Sequence, residues 1–269
     1  ISQEQSKAVS INIEKSPVNI SPKIDKKTEE IKSLVEQLAD DNVDVSLEAA
    51  NKLVSLNKDA VPILLQKLKD APVRLKGQIV FLLGRIKDNS ATTALTEILK
   101  DDNAYIRRNA AEALGKIADL RALNGLTSTL FDEDISVRER SALALAELKD
   151  SSAGQYLTNR LKDEKEERVK SAVVDSLGKL KDKGATEILL KELQDKNDLL
   201  YQNSVVFSLG EIGDKKAIAD LTAHINKLTK SLEELKKEEN KDKPEAKMII
   251  FQLEEAIKIA DEAIRKIQQ

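Results

Sequence analysis

A self-similarity with a period of 31–32 residues constrains this chain more than any other property. A Leu-Gly pair recurs at Leu83-Gly84, Leu114-Gly115, Leu177-Gly178 and Leu209-Gly210, with Leu145-Ala146 in the gap. The second residues of these pairs are spaced 31, 31, 32 and 32 apart. Four residues after each stands an aspartate: Asp88, Asp119, Asp150, Asp182 and Asp214. An earlier, degenerate copy reads Leu53-Val54-Ser55 and then Asp59. Periods of this length belong to arrays of small units, each too small to bury its own apolar face.

Each unit has two halves. The second carries an Ala-Leu-aliphatic ladder at four-residue spacing: Ala60/Leu64/Leu68, Ala91/Leu95/Leu99, Ala122/Leu126/Leu130, Ala153/Leu157/Leu161, Ala185/Leu189/Leu193 and Ala217/Leu221/Ile225. Residues at i, i+4 and i+8 share one helix face. From Ala91 onward, the aspartate three positions before each Ala falls where a helix N-cap belongs, its carboxylate accepting from the free N–H groups of the first turn. The first half is helical too, with Ile106, Ala110, Ala111, Leu114 and Ile117 in one copy and Val137, Ser141, Ala142, Leu145 and Leu148 in the next. Gly115 and its equivalents cost helix propensity. Close packing near the end of the first helix is the expected reason.

The segment Asp101–Asp119, DDNAYIRRNAAEALGKIAD, and Asp132 through Asp150 with Val137-Arg138 resemble the HEAT-like repeat of the short bacterial type, first associated with phycobilisome lyases. Residues 164–195 and 196–227 are recognisable copies, with Val169-Lys170 and Tyr201-Gln202 in place of an apolar-Arg pair. Residues 71–100 are weaker, with Leu75-Lys76, and 41–70 are degenerate, as a capping repeat would be. The resemblance implies an all-α fold, a right-handed α-solenoid of five to six HEAT-like repeats over residues 41–227. It also implies an Arg107 and Arg138 series that pairs with the loop aspartates between repeats. For function it implies scaffolds and adaptors first. An enzyme or chaperone of the phycobilin-lyase kind, acting on a partner protein, is the alternative.

The ends depart from the repeat. Residues 1–25 are rich in Ser, Asn, Gln and Lys, with Pro17 and Pro22, and read as an extended tail or linker. A capping helix is expected over residues 26–40, with Ile31, Leu34, Val35 and Leu38 on one face. At the other end Ile218, Leu221, Ile225, Leu228, Leu232 and Leu235 step by 3 and 4, a heptad seam. Pro244 and the polar residues before it break the helix. Ile250, Leu253, Ile257, Ala260, Ile264 and Ile267 then form a second seam. Residues 228–269 are thus expected as an antiparallel heptad hairpin that caps the last repeat, and self-association through it is the sharper possibility.

Composition narrows the chemistry. The chain is 41% hydrophobic but only 3% aromatic, which suits a core of stacked Leu-, Ile-, Val- and Ala-rich helices. Its 44 basic and 47 acidic residues are interspersed, so nucleic acid is not the expected partner. No apolar run is long enough to span a membrane. Without cysteine there is no disulfide, thiolate nucleophile or Cys-type zinc site. His224 is the single histidine, expected at the surface or rim, and cannot supply paired metal ligands. Asp101-Asp102 and Asp132-Glu133-Asp134 fall in turns before helices, where capping is their expected role. No catalytic residue, cofactor or metal is expected, and the chain reads as a non-enzyme. A first residue other than Met, the lack of Cys and the polar tail favour an exported or membrane-tethered protein over a cytoplasmic one. The Lys-, Asn- and Ile-leaning composition reads as bacterial.

One register points to a binding surface. Directly after the middle Leu of the second helix stand Thr96, Thr127, Thr158 and Thr222, with Leu190 the exception. Thr93, Asn124, Ser128, Gln155 and Asn159 are near them. In HEAT-like arrays the second helices line the concave face, so these residues would form a neutral, hydrogen-bonding stripe for a protein or peptide partner. The stripe requires Thr127 and Thr158 to be open to solvent rather than packed between helices.

Overall fold

The structure, a computed structural model, describes residues 22–195, 198–237 and 243–269. The expected tail therefore lies outside the described residues except at its end. A helix α1 (Pro22–Gln37) begins there, four residues earlier than the sequence suggested. Proline suits a first helical position, where no N–H is needed. Ile31, Leu34, Val35 and Leu38 are all buried, as the spacing predicted.

Six helical pairs follow in chain order: α2 (Val43–Leu56) with α3 (Val61–Leu68), α4 (Val73–Ile86) with α5 (Thr92–Ile98), α6 (Ala104–Ile117) with α7 (Leu123–Thr129), α8 (Ile135–Glu147) with α9 (Ala153–Asp163), α10 (Glu167–Leu180) with α11 (Thr186–Asp195), and α12 (Leu199–Ile212) with α13 (Ile218–Lys237). A last helix, α14 (Pro244–Gln268), closes the chain. No strand occurs among the described residues. The first helices stack on one another in sequence, as do the pairs they form with their second helices, giving an all-α solenoid with one continuous apolar core.

The repeat residues account for the stacking. Every Ala and both Leu positions of the second-helix ladder are buried from α3 to α11, and only Ile225 of α13 is half-buried. The glycines let first helices touch. A Cβ on Gly84 would lie 2.8 Å from the Ala113 Cα, one on Gly115 2.9 Å from the Ala144 Cα, and one on Gly178 2.9 Å from the Ser208 Cα. The aspartates cap as expected. Asp88, Asp119, Asp150, Asp182 and Asp214 accept from the backbone N–H groups of Ser90, Arg121, Ser152, Gly184 and Lys216. At Asp88, Asp119, Asp182 and Asp214 they cap a short 3-10 turn that runs on into the second helix. Asp59, in the degenerate first copy, pairs with Lys27 instead.

A ladder of ion pairs joins the other edge. Arg107 grips Asp132 in a bidentate pair, Nε–Oδ2 2.8 Å and Nη2–Oδ1 2.7 Å. Its Nη1 donates to the carbonyls of Asp101 and Asp102. One repeat on, Arg138 grips Glu164 and donates to the carbonyls of Asp132 and Glu133. Lys76–Asp101 at 2.7 Å extends the series through one carboxylate oxygen, and Lys170 through both oxygens of Glu192, at 3.1 and 3.2 Å. Burial alone would raise the Glu164 carboxyl. Arg138, two backbone N–H groups and Arg160 overcome it and hold the group at about 2. Asp101, Asn103, Asp132 and Asp134 also accept from backbone N–H groups at the starts of α6 and α8, so the acidic turns are caps.

The C-terminal hairpin corrects its sequence picture in one respect. α14 packs on α13, as the seams predict, but equally on α12. Ala256, Ala260, Ala263 and Ile267 are its buried residues, and a Cβ on Gly210 of α12 would lie 3.0 Å from the Ala263 Cα. That is the same close approach that joins α6 to α8. α14 thus stands where the first helix of a seventh repeat would stand. The link between α13 and α14, residues 238–242, is outside the described residues.

Candidate protein-binding surface

The second helices present the surface on which the sequence placed a stripe. Thr93 on α5, Asn124 and Ser128 on α7, Gln155 and Asn159 on α9 and Thr222 on α13 are exposed. They follow the buried Ala-Leu ladder by one or two positions, so burial of the ladder turns them outward. Around α9 the surface dips into a depression of about 580 Å³, lined among others by Gln155, Tyr156, Thr158, Asn159 and Lys162, with Asp182 and Gly184 on its far side.

Three threonines of the register do not belong to the open stripe as expected. Thr127 is 7% exposed, and its hydroxyl donates to the Asn124 carbonyl. Thr96 is half-buried. Its hydroxyl donates to the Thr92 carbonyl, and its methyl sits where a Cβ on Gly125 of the neighbouring second helix would be, 2.7 Å away. Thr158 is half-buried as well, with a hydroxyl oxygen closed to water and without a hydrogen-bond partner. Here the small side chain serves helix-to-helix packing, and the hydroxyl is satisfied on its own helix where it is satisfied at all. The Thr register therefore narrows to Thr222, whose hydroxyl donates to the Ile218 carbonyl, and the accessible stripe rests on Thr93, Asn124, Ser128, Gln155 and Asn159.

Two aromatic side chains extend the stripe, and the sequence reading left both out. Tyr156 and Phe131 are exposed, and the Arg160 guanidinium lies over the Phe131 ring at 5.5 Å from its centre. Tyr156 stands next to Gln155, outside the register that the threonines define, so the repeat does not mark it. Exposed aromatics beside neutral amides and hydroxyls are the composition of protein interfaces rather than of reaction centres.

His224 is also corrected. It is 7% exposed on α13, one turn after the buried Leu221, and not at the rim. Burial, with Lys227 adding to it, holds the imidazole below its ordinary value, and the buried Nε2 has no hydrogen-bond partner. No group of acidic or histidine side chains that could hold a metal ion occurs among the described residues. Among the described residues, no helix is long and apolar enough to cross a membrane.

A family model for HEAT repeats matches four overlapping stretches, residues 31–108, 61–132, 92–177 and 123–209. No curated protein matches the chain. Among solved structures, importin β aligns with a TM-score of 0.63 at 14% identity, covering 91% of this chain and 39% of its own. The YibA protein of E. coli aligns at 0.53 and 20% identity, covering 86% of this chain and 82% of its own. The CpcE–CpcF complex of phycocyanin lyase from Nostoc sp. PCC7120 aligns at 0.49 and 18% identity, covering 93% and 100%. At such identities the likeness to importin β and YibA speaks for the fold alone. The family match spans well over half of the sequence and coincides with the stacked pairs, so the chain belongs to the HEAT-repeat family.

Proposed function

We propose that this protein is a non-catalytic scaffold that holds a protein or peptide partner along its second-helix surface. The observation that carries the reading is the row Thr93, Asn124, Ser128, Gln155 and Asn159, exposed and uncharged on a molecule that is otherwise 34% charged, with Tyr156 and Phe131 at its side. Uncharged donors and acceptors cost less to desolvate than ions, and aromatics supply anchoring area. The HEAT solenoid is a fold commonly built for holding proteins, which supports the same reading. The hairpin is the second contact, and self-association through it would use Met248, Ile249 and Phe251, exposed near the start of α14.

Affinity capture from the source cell with mass spectrometry tests the surface. Asn124→Lys, Gln155→Lys and Asn159→Lys, combined, are expected to remove specific proteins from the captured set while helicity by circular dichroism stays unchanged. An identical captured set would overturn the assignment of the surface. Sedimentation of Met248→Lys/Phe251→Lys beside the parent protein tests the hairpin, where equal sedimentation at all concentrations would leave it no part in self-association.

A further inference from the structure

The opposite layer carries a groove of different chemistry. At the C-terminal ends of α6 and α8, with contributions from the ends of α4 and α10, the first helices enclose a groove of about 530 Å³. Lys87, Lys116, Arg140, Lys149 and Lys179 line it, against the carboxylates of Glu112 and Glu147. Five cations face two anions, a local excess of three positive charges in a chain whose net charge is −3.

Internal pairing leaves much of that charge unspent. Lys116 pairs with Glu112 at 2.8 Å and Lys179 with Glu147 at 3.3 Å. Arg140 only approaches Glu112, at 3.7 Å from its Nε, and that buried Nε has no hydrogen-bond partner. The Arg140 guanidinium, about a third exposed in the middle of the groove, is thus held only by this long ion pair to Glu112. Lys87 and Lys149, at its rim, form no ion pair among the described residues. Both hold left-handed backbone, φ 58° and 55°, at positions where Gly213 stands in the last repeat. The floor is small and apolar, made by Gly115, Leu143 and Ala144. At one end the exposed Phe81 ring lies 5.3 Å from the Lys116 ammonium and lines a small adjoining cleft with it.

We propose that this first-helix groove docks an acidic segment of a partner protein, with a partner carboxylate on the Arg140 guanidinium and an apolar partner side chain over Leu143 and Phe81. A planar fork meets a carboxylate with two parallel hydrogen bonds, and the half-buried site strengthens them. The two carboxylates inside the groove favour a peptide over a nucleic acid. A phosphate backbone carries closely spaced charge and would meet Glu112 and Glu147, whereas a peptide places its acidic residues selectively. The groove is on different helices from the second-helix surface, so the two sites stand or fall separately.

Fluorescence anisotropy with a labelled synthetic peptide, glutamates and leucines at helical spacing, tests the proposal on the full chain. The peptide is expected to bind, to bind more weakly as salt rises, and to lose affinity when its glutamates are replaced by glutamines. Arg140→Glu is expected to weaken binding about tenfold, while Lys100→Glu, exposed in the turn after α5 and outside both surfaces, leaves it unchanged. Circular dichroism checks that Arg140→Glu folds. Lys149→Glu, at an exposed rim position, is expected to weaken binding in the same direction and carries the test if it does not. Absence of peptide binding, equal binding by the folded groove variants and the parent, or tighter binding of labelled duplex DNA than of the peptide would overturn the proposal.

Discussion

Two ion pairs in this molecule have the same length and opposite meaning. Arg107–Asp132, between α6 and the turn before α8, and Lys236–Glu254, between α13 and α14, both measure 2.7 Å. The first pair is 9% exposed on both sides, and the second 49% and 48%. In the middle of the array the cation also satisfies two backbone carbonyls of the turn, so it fixes the loop as well as its partner. In the hairpin the pair lies in water, and the half-buried Leu232 and Leu235 hold the helices together there. The array is joined by specific polar contacts repeated in register, and the hairpin by the less particular fit of a leucine seam.

That contrast can be broken or sharpened in graded steps. Arg107→Ala should have the largest effect, about 3–5 kcal/mol in chemical denaturation, because it strands the buried Asp132 carboxylate. Gly115→Val should cost about 2–3 kcal/mol by forcing α6 from α8, since its Cβ would lie 2.9 Å from the Ala144 Cα. Acid should act on the array next. Glu164 and Asp119 are held at about 2 in the folded chain, below their ordinary values of 4.5 and 3.8. Their contribution is therefore full above those ordinary values and is lost as pH falls towards 2. Melting temperature should drop over that window, and drop less steeply in Glu164→Gln, whose stability at neutral pH is already reduced. Leu232→Ala in the hairpin should cost about 1 kcal/mol. Glu254→Ala should change stability by less than about 0.5 kcal/mol. If Glu254→Ala proved as damaging as Arg107→Ala, the distinction between array and hairpin would collapse.

Much of the array is legible in the sequence because its contacts recur. Gly84, Gly115, Gly178 and Gly210 all meet the next first helix, and the five aspartates all cap, so a shared spacing meant a shared cause. The same logic gives Arg107 its loop aspartate, Asp132, whereas Arg138 pairs with Glu164, a glutamate where an aspartate was expected. What escaped notice is what repetition does not encode. Ala256 and Ala263 are buried, Ala263 against Gly210 of α12, but alanine carries too little apolar signal to stand out beside the isoleucines of the heptad. His224 lies on the same face as Leu221 and Leu228, yet its type suggested a rim. The stripe was half-legible. Asn124, Gln155 and Asn159 project outward as expected, while the burial of Thr127 depends on how closely neighbouring second helices approach, which spacing within one helix does not report.

The capping aspartates have one more consequence. At two joints the second carboxylate oxygen reaches back across the repeat boundary, Asp119 to the Thr92 hydroxyl and Asp214 to the Thr186 hydroxyl, each at 3.0 Å. The residue at the corresponding position is Leu123 facing Asp150 and Gly154 facing Asp182, and neither offers a hydroxyl. The second-helix layer is thus laced at α5/α7 and α11/α13 and unlaced on both sides of α9, as it is at α3/α5, where Val61 stands in the threonine position. The same two joints beside α9 are tied on the other edge by the bidentate Arg107–Asp132 and Arg138–Glu164 pairs. In an array whose units answer mainly to their neighbours, the repeats there are fastened from one edge only. The surface proposed to grip a partner, with Asn124, Ser128, Gln155 and Asn159, thus lies on joints held from the opposite side.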